Sequence, residues 1–135
     1  RRHPILKLYH AHHSTCSQKV RLAQVEKGWG YESLIVDLAN KAHLTAEYLA
    51  INPNGVVPTL VHYYVSITDS SVIVEYIDEV FADHPLVPKD PVNRASVLAW
   101  LRFLETVPTY AVRVPSFNKA FLTRFDGLTN EAFAD

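Results

Sequence analysis

The apolar positions in the first 40 residues alternate between short continuous runs and helical spacing. Residues 5–9 form an apolar run and residues 31–38 alternate at first between apolar and polar positions, and both patterns are typical of short strands. Residues 15–27, between them, have the spacing of a helix, and Gly28 is placed to end that helix as its C-cap. Two strands joined through one helix predict a parallel β-α-β unit.

The pattern after residue 40 predicts a second group of elements. Residues 44–51 predict a short helix that ends before Asn52-Pro53, because the residue before a proline is pushed out of the helical region. Residues 57–68 predict two successive strands, and therefore an antiparallel hairpin. Residues 69–84 predict an amphipathic helix. Its apolar stripe consists of Ile73, Ile77, Val80 and Phe81.

These elements predict a mixed four-stranded sheet with helices packed on it, an α/β fold. The sequence then changes character at residues 84–91, which carry three prolines. Asp90 and Pro91 predict a new helix, with the aspartate as N-cap and the proline in the first turn, and that helix is predicted to end at Pro108. We therefore predict one domain over residues 1–83, a linker over 84–90 and the start of a helical domain over 91–135.

The composition, 48% hydrophobic with a net charge of −1 over 135 residues, narrows the class of protein. So little net charge disfavours a nucleic-acid partner, which requires a basic surface. No apolar run approaches the ~18 residues of a membrane span, so we expect no membrane partner, and we find no signal-peptide pattern. The single cysteine excludes an internal disulfide and indicates a cytoplasmic location. Because methionine is absent even at position 1, we expect the true N-terminus to be processed or missing.

The segment Ser14-Thr15-Cys16-Ser17 gathers hydroxyls and a thiol where a predicted strand gives way to a helix. A helix N-terminus presents unpaired N–H groups and about half a positive charge, which favour an anion such as a thiolate. A hydroxyl that donates a hydrogen bond to sulfur lowers the pKa of a thiol, which is ~8.5 when free. A plainer interpretation is that Ser14 or Thr15 caps the helix and Cys16 packs as a small apolar residue.

Two other chemistries are disfavoured by the sequence. A dithiol redox pair needs a second cysteine three residues from Cys16, and those positions hold His13 and Lys19. The histidines at positions 10, 12 and 13 lie close together, but no carboxylate or second cysteine accompanies them. We therefore expect no metal site.

Three stretches of the chain resemble the glutathione transferases. They are LYHAHHSTCSQKVRLAQVEKG, YLAINPNGVVPTLV and ITDSSVIVEYIDEVF, and they cover residues 5–82 in the order in which this family has them. The segment STCSQKVR is similar to the Ser-x-Cys signature of the zeta class, the maleylacetoacetate isomerases. The stretch GVVPTLV followed by ITDSSVI is similar to bacterial transferases related to the lignin β-etherases. The resemblance implies a thioredoxin-like N-terminal domain and an all-helical C-terminal domain, which we expect to be truncated here.

The resemblance implies that the thiol of glutathione binds at the start of the first helix. By resemblance, the hydroxyl of Ser14 holds the thiolate of bound glutathione. Ser17 takes the place of the serine of the β-etherase group. Cys16 is the alternative, a cysteine that forms a mixed disulfide with glutathione. These three residues are our candidate catalytic residues.

The resemblance also implies contacts to the rest of glutathione. Pro58 is expected to follow a cis peptide bond, which leaves the N–H and C=O of Val57 free to pair with the cysteinyl backbone. Ser70 and its N–H are expected to hold the γ-glutamyl carboxylate, and Asp69 to face the γ-glutamyl amine. His43 is expected to contact the glycyl carboxylate, with Lys41 as the alternative. The plainer interpretations are a trans proline at a strand edge, an N-cap at residues 69–70 and a solvated surface histidine.

The resemblance implies an enzyme with glutathione as its co-substrate and a small electrophile as its second substrate. The activated thiolate would attack that electrophile in conjugation, in cis–trans isomerisation, or in cleavage of an ether or carbon–halogen bond. A homodimer is implied as well. The alternative is a transferase-like module that serves binding or dimerisation without catalysis, and a third possibility is a glutathione-dependent reductase that uses Cys16.

Overall fold

The chain divides into two units, residues 1–88 and residues 89–135. Strands and helices alternate through the first unit. The computed structural model describes residues 6–121. The strands are β1 (Leu6–His10), β2 (Glu32–Ile35), β3 (Thr59–His62) and β4 (Val65–Thr68). The helices of this unit are α1 (Thr15–Lys27), α2 (Ala46–Ile51) and α3 (Ser70–Val80), and a 3₁₀ turn at Ala42–Leu44 precedes α2.

The four strands form one mixed sheet in the order β2-β1-β3-β4. Strand β1 is parallel to β2 and antiparallel to β3, and β3 is antiparallel to β4. The predicted β-α-β unit and the predicted hairpin are therefore both confirmed. The hairpin turns at Tyr63 and Tyr64, and Tyr63 adopts a left-handed φ of 57° without the glycine or asparagine that usually marks such a turn.

The strand register defines two edges of the sheet. Tyr9 pairs with Thr59, and Thr59 pairs with Thr68, in one row across three strands. Strands β1, β2 and β4 therefore end at the same edge at which β3 begins, and we call this the upper edge. The opposite edge, where β1 enters at Leu6 and β3 leaves at His62, is the lower edge.

The apolar core lies between the sheet and helices α1 and α3. Its buried members are Leu6, Leu8, Val20, Leu60, Ile73, Ile77 and Phe81. The prediction for Val80 was wrong, because 44% of this residue is exposed. The helix ends at Val80, and the ring of Phe81 packs in the core against Trp29, with ring centroids 4.3 Å apart.

Helices α1 and α3 lie side by side and run in the same direction. Lys19 donates to the Ser71 hydroxyl at 2.8 Å in their N-terminal halves, and Lys27 pairs with Asp78 at 2.8 Å near their C-terminal ends. Because α1 follows β1 and α3 follows β4, both helices begin at the upper edge. The predicted end of α1 is confirmed, since Gly28 adopts a left-handed φ of 67° as its C-cap.

A buried charged cluster closes the lower end of this unit. The Lys27 ammonium is fully buried and donates to Asp78 Oδ1 and to the His84 carbonyl, at 2.8 and 3.0 Å. Asp78 also accepts the backbone N–H groups of Leu86 at 2.6 Å and Val87 at 3.1 Å. Burial pushes the pKa of Asp78 upward, but these backbone bonds and Lys27 outweigh it, and the pKa lies below its ordinary value.

This charged cluster, Lys27 and Asp78 with the backbone of residues 84–87, fastens a segment that the proline content had predicted to be linker. The bonds join the segment to both α1 and α3. The domain boundaries at residues 83–84 and 90–91 stay predictions.

The second unit contains a long helix, α4 (Pro91–Ser116), followed by a π-helical turn at Phe117–Phe121. Asp90 caps α4 as predicted, accepting from the Asn93 N–H at 2.9 Å. The predicted end at Pro108 was wrong. Pro108 cannot donate to the Leu104 carbonyl, but the Thr109 hydroxyl does so instead at 2.9 Å, so the helix continues. No helix within residues 6–121 has the length and apolar character needed to span a membrane.

Candidate functional site at the upper edge of the sheet

All the residues singled out in the sequence belong to segments that leave or enter the sheet at its upper edge. Residues 14–17 follow β1, His43 lies in the connection after β2, Val57-Pro58 leads into β3, and Asp69-Ser70 follows β4. The strand order places β1, β3 and β4 next to one another. Three of these segments therefore come from neighbouring strands, although they are up to 56 positions apart in the sequence.

Ser14 is the N-cap of α1. Its backbone is extended, and its Oγ accepts a hydrogen bond from the Ser17 N–H at 3.2 Å. The predicted capping role is therefore real. It uses the hydroxyl only as an acceptor, so the hydroxyl proton remains available to donate to a ligand. The side chain is half-buried and can still reach solution.

Ser17 and Cys16 lie in different surroundings in the first turn of α1. Ser17 is fully buried, and its Oγ accepts from the Ala11 N–H at 3.3 Å, which ties the start of the helix to the end of β1. Cys16 is a half-buried free thiol. Ser14 and Cys16 are thus more accessible to a ligand than Ser17.

The Val57-Pro58 peptide bond is cis, as expected from the resemblance. Pro58 and the following Thr59 are buried, whereas Val57 is half-buried. Within residues 6–121, the Val57 N–H takes no hydrogen-bond partner. The backbone at Val57 can therefore pair with an extended peptide lying along the edge.

The Val56 carbonyl, which precedes Val57, is surrounded by a buried polar network that the sequence did not predict. The Tyr48 hydroxyl donates to Val56 O at 2.7 Å, and the Asn52 side-chain amide donates to the same oxygen at 2.9 Å. The Thr59 hydroxyl lies 3.0 Å from the Tyr48 hydroxyl and 2.9 Å from Asn52 Nδ2. We call Tyr48, Asn52 and Thr59 with this carbonyl the Val56 network.

The sequence offered only a partial signal for this network. The stretch NPNG, residues 52–55, is typical of a turn, and asparagine is common in exposed turns. Asn52 is instead fully buried. Its burial depends on Tyr48 and Thr59, which come from other elements.

At the start of α3, the N-cap is Asp69 and not Ser70. Asp69 Oδ1 accepts from the N–H groups of Ser71 at 2.9 Å and Val72 at 3.1 Å. Its backbone has φ 69° and ψ 125°, a region that non-glycine residues rarely adopt. Such backbone strain costs on the order of 1–3 kcal/mol and persists mainly at functional sites. Ser70 is almost completely buried, and within residues 6–121 its hydroxyl has no hydrogen-bond partner.

The electrostatics of the upper edge favour anions. The N-termini of α1 and α3 both lie there, and each contributes a partial positive charge. Neither helix has an acidic residue in its first turn, but the Asp69 carboxylate already caps α3 and accepts the Ser71 and Val72 N–H groups. The start of α1 is therefore the more favourable of the two for an anion, and at α3 an anion lies next to a carboxylate that can pair with a cation.

Two histidines near this edge have buried ring nitrogens. His43 lies in the 3₁₀ turn and is half-buried, and its Nδ1 has no partner within residues 6–121. His10 is buried, and its Nε2 lies 2.7 Å from the Ser33 hydroxyl. Burial, with help from Arg21 and His12, lowers the pKa of His10. Over the described part of the chain, no three His, Cys, Asp or Glu side chains are grouped to hold a metal ion.

Comparison with known proteins agrees with this architecture. Residues 8–85 match the family model of the glutathione S-transferase N-terminal domain. A zeta-class glutathione S-transferase from Euphorbia esula is 44% identical over 87 residues, which are 64% of this chain and 39% of that protein. The β-etherase LigF from Sphingobium sp. strain SYK-6 has a TM-score of 0.88 at 29% identity, over 96% of this chain and 54% of that one.

A further solved structure carries a ligand. It is a glutathione transferase homologue from Sulfitobacter with bound glutathione, similar with a TM-score of 0.75 and 26% identity over 97% of this chain and 61% of that one. The fold is thus a thioredoxin-like domain followed by a helical region, as predicted. The chain belongs to the glutathione S-transferase family. It spans about two fifths of the length of the curated relatives that it matches.

Proposed function

We propose that this chain binds glutathione along the upper edge of the sheet and activates its thiol for attack on a small electrophile. The observation that carries the proposal is the convergence of two helix N-termini with the Val57 backbone at that edge. In this pose the sulfur lies at the start of α1, the cysteinyl backbone pairs with Val57, and the γ-glutamyl carboxylate lies at Ser70. His43 contacts the glycyl carboxylate, and Asp69 faces the γ-glutamyl amine.

The proposed activation is the stabilisation of the thiolate. Ser14 donates its free hydroxyl proton in a hydrogen bond to the sulfur, and the N-terminus of α1 adds a partial positive charge. Both effects favour the charged form, so the pKa of the bound thiol falls below its free value of ~8.5. The thiolate is then the nucleophile, and the bond it forms to carbon replaces the bond to a leaving group or opens a double bond to rotation.

Among the three candidate residues, the geometry favours Ser14. Ser17 is fully buried with its Oγ bonded to the Ala11 N–H. Cys16 is accessible, but a thiol at this position would have to form a disulfide with glutathione, which suits a reductase better than a transferase. The relatives include a zeta-class transferase and a β-etherase, and both classes fit a thiolate nucleophile. We also propose that the whole protein is a cytoplasmic homodimer.

The test is titration of the thiolate absorbance of bound glutathione against pH, together with turnover of a chloro-aromatic electrophile. We expect a bound thiol pKa below that of free glutathione. Ser14→Ala should raise it toward the free value and lower the rate about a hundredfold. Ser14→Thr, which keeps the cap and the donor, should retain most of the activity.

Two outcomes would contradict this proposal. A well-folded full chain that does not bind glutathione would favour the non-catalytic module. A loss of activity in Cys16→Ala but not in Ser14→Ala would favour the reductase.

A further inference from the structure

The hydrogen bonds of the Val56 network can be assigned one direction each. Asn52 Oδ1 accepts the Asn54 N–H at 3.1 Å, so the amide nitrogen of Asn52 must face Val56 O and the Thr59 hydroxyl. The Tyr48 hydroxyl has one proton, and Val56 O can only accept it. The Thr59 hydroxyl therefore donates to the Tyr48 oxygen. Each donor in the network has an acceptor, and the directions are mutually dependent.

The Val56 carbonyl is consequently held from two sides. Tyr48 and Thr59 are buried, as is Asn52, so these bonds form away from water, where leaving a polar group unpaired is costly. Burial also raises the pKa of Tyr48, which keeps its hydroxyl protonated and able to donate.

A fixed carbonyl fixes the amide beyond it. The Val56 C=O and the Val57 N–H belong to one peptide group, which is planar, and the bond between these residues is trans. In a trans peptide the C=O and N–H point in opposite directions. Because Val56 O points into the buried network, the Val57 N–H points away from it, and within residues 6–121 that N–H has no partner.

We propose that Tyr48, Asn52 and Thr59 are positioning residues for glutathione, because they hold the Val56 carbonyl inward and so aim the Val57 N–H at the cysteinyl carbonyl. This inference rests on the proposed function, since it requires glutathione to lie along residues 57–58. None of the three side chains needs to touch the ligand. Their effect passes through one peptide group.

The Val56 network should affect the binding of glutathione and not the reactivity of its thiol. The sulfur site belongs to α1, which follows β1, whereas the network belongs to α2, its turn and the start of β3. Weakening the network should therefore raise the KM and Kd for glutathione. It should leave unchanged the pKa of the bound thiol and the kcat at saturating glutathione, which Ser14 controls.

The experiment titrates glutathione into the full chain and follows the Val57 and Ser70 backbone amides by NMR. In the native chain both amide signals should shift on binding. Tyr48→Phe and Thr59→Val should raise the Kd about three- to tenfold and reduce the shift of Val57 while preserving that of Ser70. Asn52→Asp, which places an acceptor against Val56 O, should raise the Kd more than about tenfold.

Tyr9→Phe is the matched control. The Tyr9 ring packs edge-on against the Tyr48 ring with centroids 6.0 Å apart, and its hydroxyl does not belong to the network. This variant should bind glutathione like the native chain. If Asn52→Asp does not fold, the Kd and the Val57 shift of the milder variants Tyr48→Phe and Thr59→Val test the inference.

The outcomes distinguish this inference from the proposed function. Native-like Kd and Val57 shift in Tyr48→Phe and Thr59→Val would overturn the inference and leave the proposed function standing, and so would a loss of kcat with unchanged KM. Absence of any shift at Val57 and Ser70 in the native chain would overturn both.

Discussion

Two buried polar clusters lie at opposite ends of the same sheet, and they differ in what they leave unpaired. The charged cluster at the lower edge uses both carboxylate oxygens of Asp78 and bonds them to Lys27, Leu86 and Val87. The neutral Val56 network at the upper edge satisfies its own members as well. Next to it, however, the Val57 N–H and the Ser70 hydroxyl have no partner within residues 6–121.

The difference indicates that the two ends serve different purposes. At the lower edge, the ion pair and the hydrogen bonds of the charged cluster attach residues 84–87 to α1 and α3. At the upper edge, a similar degree of burial fixes the Val56 carbonyl by hydrogen bonds, while the Val57 N–H and the Ser70 hydroxyl have no partner within residues 6–121. Groups held in place before a ligand arrives lower the entropic cost of binding it.

The largest effect should come from breaking the lower cluster. Asp78→Ala leaves the fully buried ammonium of Lys27 without its counterion and frees residues 84–87. We expect a loss of about 3–5 kcal/mol in the free energy of unfolding, measured by urea denaturation. Under conditions where the variant is folded, its glutathione affinity should be unchanged, because the cluster lies at the other edge.

The matched control is the exposed ion pair of Lys7 and Glu32. Their charged groups are 3.3 Å apart, and the side chains are 39% and 49% exposed. Glu32→Ala should change the unfolding free energy by less than about 1 kcal/mol. An equally small effect of Asp78→Ala would show that the lower cluster does not stabilise the domain.

The next largest effect should concern the ligand at the upper edge. Asp69→Asn keeps the oxygen that caps α3 but removes the negative charge. If Asp69 faces the γ-glutamyl amine, the Kd for glutathione should rise about tenfold, which corresponds to about 1.4 kcal/mol. The unfolding free energy should change by less than about 0.5 kcal/mol. A large loss of unfolding free energy with an unchanged Kd for glutathione would show that Asp69 serves only as the N-cap of α3.

A smaller effect of opposite sign should appear in the middle of α1. Gln24 is buried, and neither its amide nitrogen nor its amide oxygen has a partner within residues 6–121. Gln24→Met replaces this amide with an apolar chain of similar shape and should stabilise the fold by about 1 kcal/mol, measured by urea denaturation. Gln18→Met, at an exposed position of the same helix, is the control. It loses only the solvent-exposed bond from the Gln18 amide to the His12 carbonyl, 3.0 Å long, and should be near neutral. Destabilisation by Gln24→Met would show that the Gln24 amide has hydrogen-bond partners in solution.

The smallest effect should be the pH dependence contributed by His62 at the lower edge. Burial lowers the pKa of His62 below its ordinary value of 6.5. Between those two values the unfolded chain binds more protons, so the unfolding free energy should fall as the pH drops below 6.5. His62→Gln should flatten this part of the pH profile relative to the native chain. An unchanged slope in this variant would contradict the assignment.

The sequence predicted the elements of the first unit well where the signals are local. The bounds of α1 follow from apolar spacing and from Gly28, and both were confirmed. Val80 was misplaced because periodicity alone does not show that α3 ends at that residue. Pro108 was read as a helix end because the rule for proline does not include a compensating threonine at the next position.

The candidate site was predictable only as separate segments. Ser14, Val57 and Ser70 were singled out by the family resemblance, and their roles toward glutathione stay predictions. The Val56 network escaped prediction because a buried asparagine and an exposed turn asparagine look alike in sequence. The partner of Lys27 escaped it too, since Asp78 lies 51 residues away and many acidic residues were equally possible.

What the sequence determined by itself was the order of strands and helices, the C-cap of α1 and the N-cap of α4. These depend on interactions between residues a few positions apart, which a linear pattern records. The family was indicated by three motifs spread over residues 5–82. The tertiary structure decided which polar groups are buried together and which have no partner within residues 6–121 at the upper edge. That outcome depends on the register of β1, β3 and β4, because pairing between distant strands determines which side chains and peptide groups meet.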